Sequence, residues 1–150
     1  MVKRNNMRKL FLCALMAMAF GVNAMAQAVS PFVGTIYNKE YSIYLTINAV
    51  DKNVVIPNQE VMGEMVGYIG DQKDFRKWLI LDCEEKTKKS LVLQITNDEG
   101  SEDLEALLSC ENDSVYKLKQ LGGSTLKIAR NRKWQKLPQT LEFVSKQRKP

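Results

Sequence analysis

The sequence predicts one all-β domain, a single antiparallel barrel of about eight strands in a lipocalin-like or similar meander order, with a β-sandwich as the alternative. Short segments alternate apolar and polar residues, which is the period of a half-buried strand. Turn-forming residues separate these segments at intervals of roughly ten residues, the spacing of small all-β domains. Both a barrel and a sandwich bury alternate residues, so the period alone leaves both architectures open.

The strand predictions follow the chain from residue 32. The clearest strand is YSIYLTINA at 41–49, which turns Ile43, Leu45 and Ile47 to one face and Tyr44 to the other. KSLVLQIT at 89–96 repeats this pattern. Shorter runs of the same kind lie at 32–37, 54–57, 64–70, 77–83, 114–118, 124–129 and 140–144. Turn signals between them are Asn38-Lys39, Asp51-Lys52-Asn53, Gly70-Asp71, Asn112-Asp113, Gly122-Gly123 and Asn131.

The segment 101–110, SEDLEALLSC, is compatible with a helix or a strand. Ser101 suits a helix N-cap, and the leucines after it fall at helical spacing. Alternate residues from Leu104 to Cys110 are also apolar, and the segment follows the 89–96 strand after a short glycine-containing turn. We therefore predict a strand that pairs with its neighbour, although Leu107 fits this pattern poorly.

Gly122-Gly123 predicts a hairpin turn. A three-residue loop at 121–123 places Leu118 opposite Leu126 and Tyr116 opposite Ile128, which keeps apolar residues on one face. A one-residue slip would place charged residues there instead, so this register is preferred.

The first 26 residues have the pattern of a secretory signal peptide. Basic residues precede an apolar run from Leu10 to about Ala19, and Ala24-Met25-Ala26 has the small-x-small order of a cleavage site. The prediction is a signal peptide at 1–26 and a single β-domain with a basic C-terminal tail at 27–150, exported to the periplasm or beyond. With the signal peptide removed, no transmembrane segment is expected, because the apolar run is broken by Gly21 and Asn23.

Charge is unevenly distributed along the chain. The full sequence has 22 basic and 17 acidic residues, but the signal peptide holds four of the basic ones, so the mature chain has a net charge of +1. Between Lys127 and Lys149 there are eight basic residues and one acidic residue, Glu142. This end suits a solvated surface or contact with an anionic partner, whereas a nucleic-acid partner is not expected for an exported chain of balanced charge.

No combination of residues in the sequence predicts a catalytic, metal or cofactor site. The chain contains no histidine, which removes the common triads, the usual neutral-pH base and the histidine-containing zinc sites. The acidic stretch NDEGSEDLE at 97–105 fails the EF-hand spacing around Gly100 and is predicted to be a turn between strands. A non-enzymatic protein without metal or cofactor is the resulting expectation.

Two cysteines of the mature chain, Cys83 and Cys110, invite a disulfide in an oxidising compartment. In a meander their strands would flank the 89–96 strand, about 10 Å apart and beyond the reach of an S–S bond. We therefore favour two free thiols in the core. The alternative is a disulfide, which would require a strand order other than a meander.

Four aromatic residues are the candidate ligand-binding residues: Tyr44, Tyr68, Trp78 and Trp134. In a barrel with an internal cavity, aromatic residues facing the lumen would line a site for a small hydrophobic or amphipathic ligand. The alternative is that they are ordinary core and edge residues. A second functional hypothesis is a protein-interaction or envelope-associated module that uses a strand edge and the basic C-terminal segment.

The run NDEGSEDLEALL, followed by DSVYKLKQLGGSTLKIARNRKWQKLPQTLEF, resembles the C-terminal half of a group of short exported bacterial β-domain proteins of unknown function. The resemblance spans roughly residues 31–145. It rests on the short sequence motifs GSEDL, GGSTLKIA and KWQKLP together with the strand and turn pattern. It implies an antiparallel β-domain similar to a lipocalin-like barrel, and no catalytic motif accompanies it.

Overall fold

The computed structural model of the protein describes residues 29–146, so the predicted signal peptide and the end of the basic tail lie outside the described residues. The strands are β1 (Val33–Asn38), β2 (Ile43–Asn48), β3 (Val54–Val55), β4 (Glu64–Met65), β5 (Gly67–Asp71), β6 (Trp78–Thr87), β7 (Ser90–Asn97), β8 (Asp103–Cys110), β9 (Val115–Gly123), β10 (Lys127–Arg130), β11 (Lys133–Lys136) and β12 (Thr140–Ser145). One short 3-10 helix, Glu60–Met62, precedes β4. Within residues 29–146 no helix is long and apolar enough to cross a membrane.

Eight strands form a closed antiparallel barrel in the order β1-β2-β5-β6-β7-β8-β9-β12, with β12 paired to β1. Neighbours in the barrel follow one another along the chain, so the barrel is an up-and-down meander. Two two-stranded insertions interrupt it, β3–β4 between β2 and β5 and β10–β11 between β9 and β12. The predicted single antiparallel barrel is confirmed, and the sandwich alternative is not the architecture of this chain.

The barrel interior is a packed apolar core. The inward residues of β2 and β7 are those that the two-residue period predicted, Ile43, Leu45 and Ile47 on β2 and Leu91, Leu93 and Ile95 on β7. The middle of the barrel is filled by fully buried side chains: Leu45, Leu93, Leu108, Leu118 and Phe143. Small barrels are filled in this way because eight strands enclose only enough space for side chains.

Residues 103–110 form strand β8, as predicted, and not a helix. The strand pairs with β7 on one side and β9 on the other. Leu107, the residue that fitted poorly, is partly exposed on the outer face opposite Val92 and Lys119. The alternation of Leu104, Ala106 and Leu108 into the core therefore decides the conformation.

The predicted hairpin at Gly122-Gly123 is wrong. Strand β9 continues to Gly123, which lies opposite Leu104 of β8, and a bulge at Leu121 shifts the register. Gly123 has φ of 87°, and a Cβ there would meet the backbone carbonyl of Asp103. The glycine is thus explained by a bulged strand end and a close backbone approach, and not by a tight turn.

An outer layer covers part of the barrel and forms a second, smaller core. Ile56, Tyr68 and Leu79 are buried together on the outside of β5 and β6, with Tyr44 and the β3–β4 hairpin packed against them. Strands β5 and β6 therefore bury both faces, Ile69 and Trp78 inward and Tyr68 and Leu79 outward. This explains why apolar residues occupy both parities of these two segments.

The two cysteines within residues 29–146, Cys83 and Cys110, are free and partly buried, and both pack against the barrel core. Cys83 lies on β6 and Cys110 on β8, and β7 separates these two strands. This is the placement that the meander order requires, because two strand spacings exceed the reach of a disulfide.

The two ends of the barrel are closed by different segments. At one end the segment before β1 folds inward: Phe32 is buried, its carbonyl accepts from the Ala49 amide at 3.0 Å, and the Tyr116 hydroxyl donates to the Pro31 carbonyl at 2.7 Å. The other end carries the β1–β2, β5–β6 and β7–β8 loops and the β10–β11 insertion. We call it the hairpin end.

Candidate functional site: a pocket at the hairpin end of the barrel

The β10–β11 hairpin folds over the barrel mouth and contributes to the core. Leu126, Ile128 and Leu137 of the insertion are buried in the main apolar cluster. The Leu137 amide donates to the Leu126 carbonyl at 2.8 Å, which joins the two arms of the insertion. The hairpin therefore closes the mouth by placing its own apolar residues in it.

Gln120 fixes the base of the insertion. Its side chain is buried, and its amide nitrogen donates to the Pro138 carbonyl at 2.9 Å while its oxygen accepts from the Leu126 amide at 2.8 Å. One side chain thus satisfies backbone groups on both arms as they leave the barrel. Such groups need a partner once they are buried, so Gln120 sets the direction of the hairpin.

Arg130 joins the hairpin to the far side of the mouth. Its two terminal nitrogens lie 2.6 and 2.9 Å from the two carboxylate oxygens of Asp71, at the end of β5. One of them also donates to the Tyr41 carbonyl at 2.7 Å. The Asp71 side chain is only 5% exposed. A bidentate pair with this burial is geometrically specific, so it fixes the position of the hairpin across the barrel.

Trp78 links the barrel wall to the hairpin backbone. It is buried at the start of β6, and its indole nitrogen donates to the Lys127 carbonyl at 3.0 Å. The Lys127 ammonium forms an ion pair of 2.9 Å with Glu102, from the β7–β8 loop. The hairpin is therefore held by contacts with three separate parts of the barrel.

A pocket of about 370 Å³ lies between the hairpin and the β5–β6 and β7–β8 loops. Its apolar lining is Ile43, Ile69, Trp78, Leu126, Ile128, Ala129, Trp134 and Leu137. Its polar and charged lining is Asp71, Asp74, Arg76, Lys77, Asn97, Asp98, Glu99, Ser101, Glu102 and Lys127. An apolar floor with a polar rim is the usual composition of a small-molecule site.

Trp134 stands at the rim of the pocket between two cations. The Arg76 guanidinium carbon is 4.9 Å and the Lys127 ammonium 5.0 Å from the centre of the indole ring. Arg76 is also 3.3 Å from Asp74. Cation–π contacts favour one position of the ring, although 55% of Trp134 remains exposed.

The acidic stretch 97–105 contains the turn between β7 and β8, as predicted. Asn97 organises it: its side-chain oxygen accepts from the amides of Ser101 at 2.8 Å and Glu102 at 3.2 Å. Glu102 is paired with Lys127. Within residues 29–146 no three His, Cys, Asp or Glu side chains are grouped as a metal site would require.

The structure separates the four candidate aromatic residues into two pairs. Trp78 and Trp134 both line the pocket. Tyr44 and Tyr68 lie on the outer side of the barrel, with their rings 5.9 Å apart in an edge-to-face contact under the β3–β4 hairpin. Burial, and secondly the neighbouring Tyr68, raises the pKa of Tyr44.

Sequence reasoning did not find Asp71, Arg130 or Gln120 as residues that build this site. Their partners are distant in sequence, so no local spacing marks them. The concentration of basic residues after Lys127 was the one available signal, and it did not distinguish structural from solvent-facing cations.

No protein-family model, curated protein or solved structure matches this chain. The hairpin end, with its pocket and its two tryptophans, is therefore the feature from which a function is inferred.

Proposed function

We propose that this protein is a non-enzymatic binding protein that accepts a small hydrophobic or amphipathic molecule at the hairpin end of its barrel. The pocket between the hairpin and the barrel loops carries this proposal. Its volume of about 370 Å³ lies within the range of roughly 300–1,000 Å³ that is usual for small-molecule sites. The barrel centre is filled by core side chains, so the ligand would bind at the mouth and not in the lumen.

The arrangement of the lining favours a ligand with an apolar body and a polar group. The floor offers Ile69, Trp78 and Ile128, against which an apolar body loses contact with water. At the rim, Asp74 is paired with Arg76 and Glu102 with Lys127, so part of the charge there is already balanced. A hydrogen-bonding group suits such a rim better than a group of high net charge.

Native mass spectrometry of the protein, purified from its own cells without reducing agent, tests this proposal. We expect a bound mass that survives purification. Ala129→Leu adds volume inside the pocket, and we expect it to weaken ligand binding by about fivefold or more, because overpacking costs on the order of 1–3 kcal/mol.

Gln135→Leu is the matched control, because it adds an apolar side chain on the same hairpin at an exposed position outside the pocket lining. It should retain the bound mass. A protein that is free of ligand when isolated, or an equal occupancy in Ala129→Leu, would contradict the proposal.

The second functional hypothesis is an interaction or envelope-associated module that uses a strand edge and the basic C-terminal segment. Each of the eight barrel strands pairs with a neighbour on both sides, whereas the β3–β4 and β10–β11 hairpins are two-stranded and keep an outer edge. The first part of the basic segment is folded as the β10–β11 hairpin, whose residues 127–136 include five basic and no acidic residues. Retention on a partner that weakens between low and physiological ionic strength would support this hypothesis, and insensitivity to salt would count against it.

Export to the periplasm or beyond remains a prediction from the N-terminal pattern. The mass of the mature chain tests it directly. A chain that begins at Gln27 would support cleavage after Ala26, and a chain that begins at Met1 would contradict it.

A further inference from the structure

We propose that the hairpin end docks on an anionic lipid bilayer through an exposed aromatic and basic patch, which consists of Phe75, Arg76, Lys133, Trp134 and Lys136. Arg76 and Trp134 also line the pocket, whereas Phe75, Lys133 and Lys136 lie outside its lining.

The aromatic part of the patch comes from two separate elements. Phe75, in the β5–β6 loop, is 75% exposed, and Trp134, on β11, is 55% exposed. The Arg76 guanidinium carbon lies 5.3 Å from the centre of the Phe75 ring and 4.9 Å from that of Trp134, so one cation joins the two rings. Large aromatic rings exposed together are uncommon on a surface that faces only water.

The hairpin supplies the other cations of the patch, Lys133 and Lys136. Lys127 and Arg130 are engaged with Glu102 and Asp71, which accounts for two of its five cations. The other three, Arg132, Lys133 and Lys136, are exposed and form no ion pair with any residue in the described part of the chain. Their charge is available to an external anion.

Aromatic rings and unpaired cations at the same end of the barrel match the two layers of an anionic membrane. The rings suit the boundary between head groups and acyl chains, where tryptophan and phenylalanine are favoured. The cations suit the negative surface potential outside that boundary. A soluble polyanion would use the cations but would give Phe75 no apolar environment, so the bilayer is the partner that uses both parts of the patch.

The neighbouring acidic loop sets the orientation. Asp98 and Glu99 lie at the pocket rim in the β7–β8 loop, where an anionic surface would repel them. The hairpin and Phe75 should therefore approach the membrane first, with the β7–β8 loop turned away from it.

Sedimentation with vesicles tests the proposal. We would compare vesicles of phosphatidylcholine alone with vesicles that also contain phosphatidylglycerol, at low and at physiological ionic strength. Because every variant has the same N-terminus as the wild type, a difference in vesicle binding between them is due to the patch. We expect binding to the phosphatidylglycerol vesicles only, with affinity falling as salt rises.

Two double variants separate the two parts of the patch. Lys133→Gln with Lys136→Gln should weaken vesicle binding about 25-fold, because each basic residue near the surface contributes about fivefold. Its matched control is Lys88→Gln with Lys89→Gln, which removes two exposed lysines at the other end of the barrel and should change little. Phe75→Ala with Trp134→Ala should also abolish most binding, and Val61→Ala, at a position 90% exposed outside the patch, is its control.

Tryptophan fluorescence provides a second readout. The chain has two tryptophans, and Trp78 is buried, so a shift to shorter wavelength on vesicle binding reports Trp134 entering the interface. Three results would overturn the proposal: no sedimentation with either vesicle, salt-sensitive sedimentation without a spectral shift, or equal binding of soluble heparin with no loss in the aromatic double variant. The last result would assign the patch to soluble polyanions.

Discussion

Arg130, on the β10–β11 hairpin, and Asp71, at the end of β5, form a two-point ion pair although 59 residues separate them in the sequence. The pair joins an insertion to the wall of the barrel on the other side of the mouth. Because the insertion also supplies part of the pocket floor, the geometry of the pocket depends on this contact. The position of the hairpin is thus held by a polar contact in addition to its buried leucines.

Replacing Arg130 with Gln should release the hairpin. It leaves the 5%-exposed Asp71 carboxylate without its partner, and breaking one side of such a pair costs about 3 kcal/mol. Hydrogen exchange of residues 127–136 should accelerate, and urea unfolding should report the loss of stability. Arg132→Gln is the control, because it makes the same chemical change at an exposed arginine that forms no ion pair in the described part of the chain.

A double-mutant cycle with Asp71→Asn isolates the coupling between the two residues. The double variant should lose less stability than the sum of the two single losses, because neither partner is then left alone as a buried charge. Strict additivity would contradict a direct role for this ion pair.

Ile56→Ala should detach the β3–β4 layer from the barrel. Ile56 is fully buried beneath that layer with Tyr68 and Leu79, so its truncation should cost about 2–4 kcal/mol in the free energy of unfolding. Val55→Ala, next to it but 47% exposed, should cost less than about 0.5 kcal/mol. Urea unfolding measures the loss in the free energy of unfolding for both variants. Equal losses would mean that burial of Ile56 in the outer cluster does not stabilise the protein.

The two adjacent glycines at the end of β9 should respond differently to alanine. Gly123→Ala should destabilise the protein by about 1–3 kcal/mol, because its φ of 87° disfavours a side chain and its Cβ would press on the Asp103 carbonyl. A Cβ at Gly122 would meet nothing within 4 Å, so Gly122→Ala should be tolerated or slightly stabilising. Thermal unfolding of the two variants distinguishes a bulged strand end from a tight turn, in which both glycines would be needed.

The Cys83 thiol should react slowly at neutral pH. Burial raises the pKa of Cys83, and the nearby Lys52 opposes this shift only in part. In a variant with Cys13→Ser and Cys110→Ser, in which Cys83 is the one remaining thiol, the rate of alkylation should therefore reach its midpoint at a higher pH in the folded protein than in urea. Lys52→Met should raise that midpoint further, since it removes the cation.

The same shift has a defined effect on stability. The Cys83 thiol holds its proton more tightly in the folded protein than in the unfolded one. Its contribution to the free energy of unfolding is therefore complete below the pKa of the unfolded state, and it is lost as the pH rises through the pKa of the folded state. Cys83→Ser should remove this pH dependence. Coincident alkylation midpoints in the folded and unfolded protein would contradict the shift.

Strands β2 and β7 could be predicted from sequence because each has one face in the core and one in solvent, a difference that a two-residue period records. The hairpin at Gly122 was predicted wrongly because the register was chosen only from the residues on either side of the expected turn. Leu126 is buried by packing into the barrel mouth and not by pairing with Leu118.

The site was only partly predictable for a related reason. Trp78 and Trp134 were singled out as aromatic residues, and they line the pocket. Tyr68 is buried although it faces outward, because the β3–β4 layer covers the outside of β5 and β6. Arg130 and Asp71 meet through the closure of the whole barrel, and a sequence pattern contains no record of such a contact.

The pairing of β12 with β1 gives the protein a definite order of assembly. Seven of the eight barrel pairings join strands that follow one another along the chain, and the eighth joins the first barrel strand to the last. During synthesis the seven can form one after another, five of them as hairpins, but the ring cannot close before Thr140–Ser145 has been made. Until then β1 and β9 present open edges, at which unfinished chains can associate. Completion of the last strand is therefore the step that protects each molecule from its neighbours.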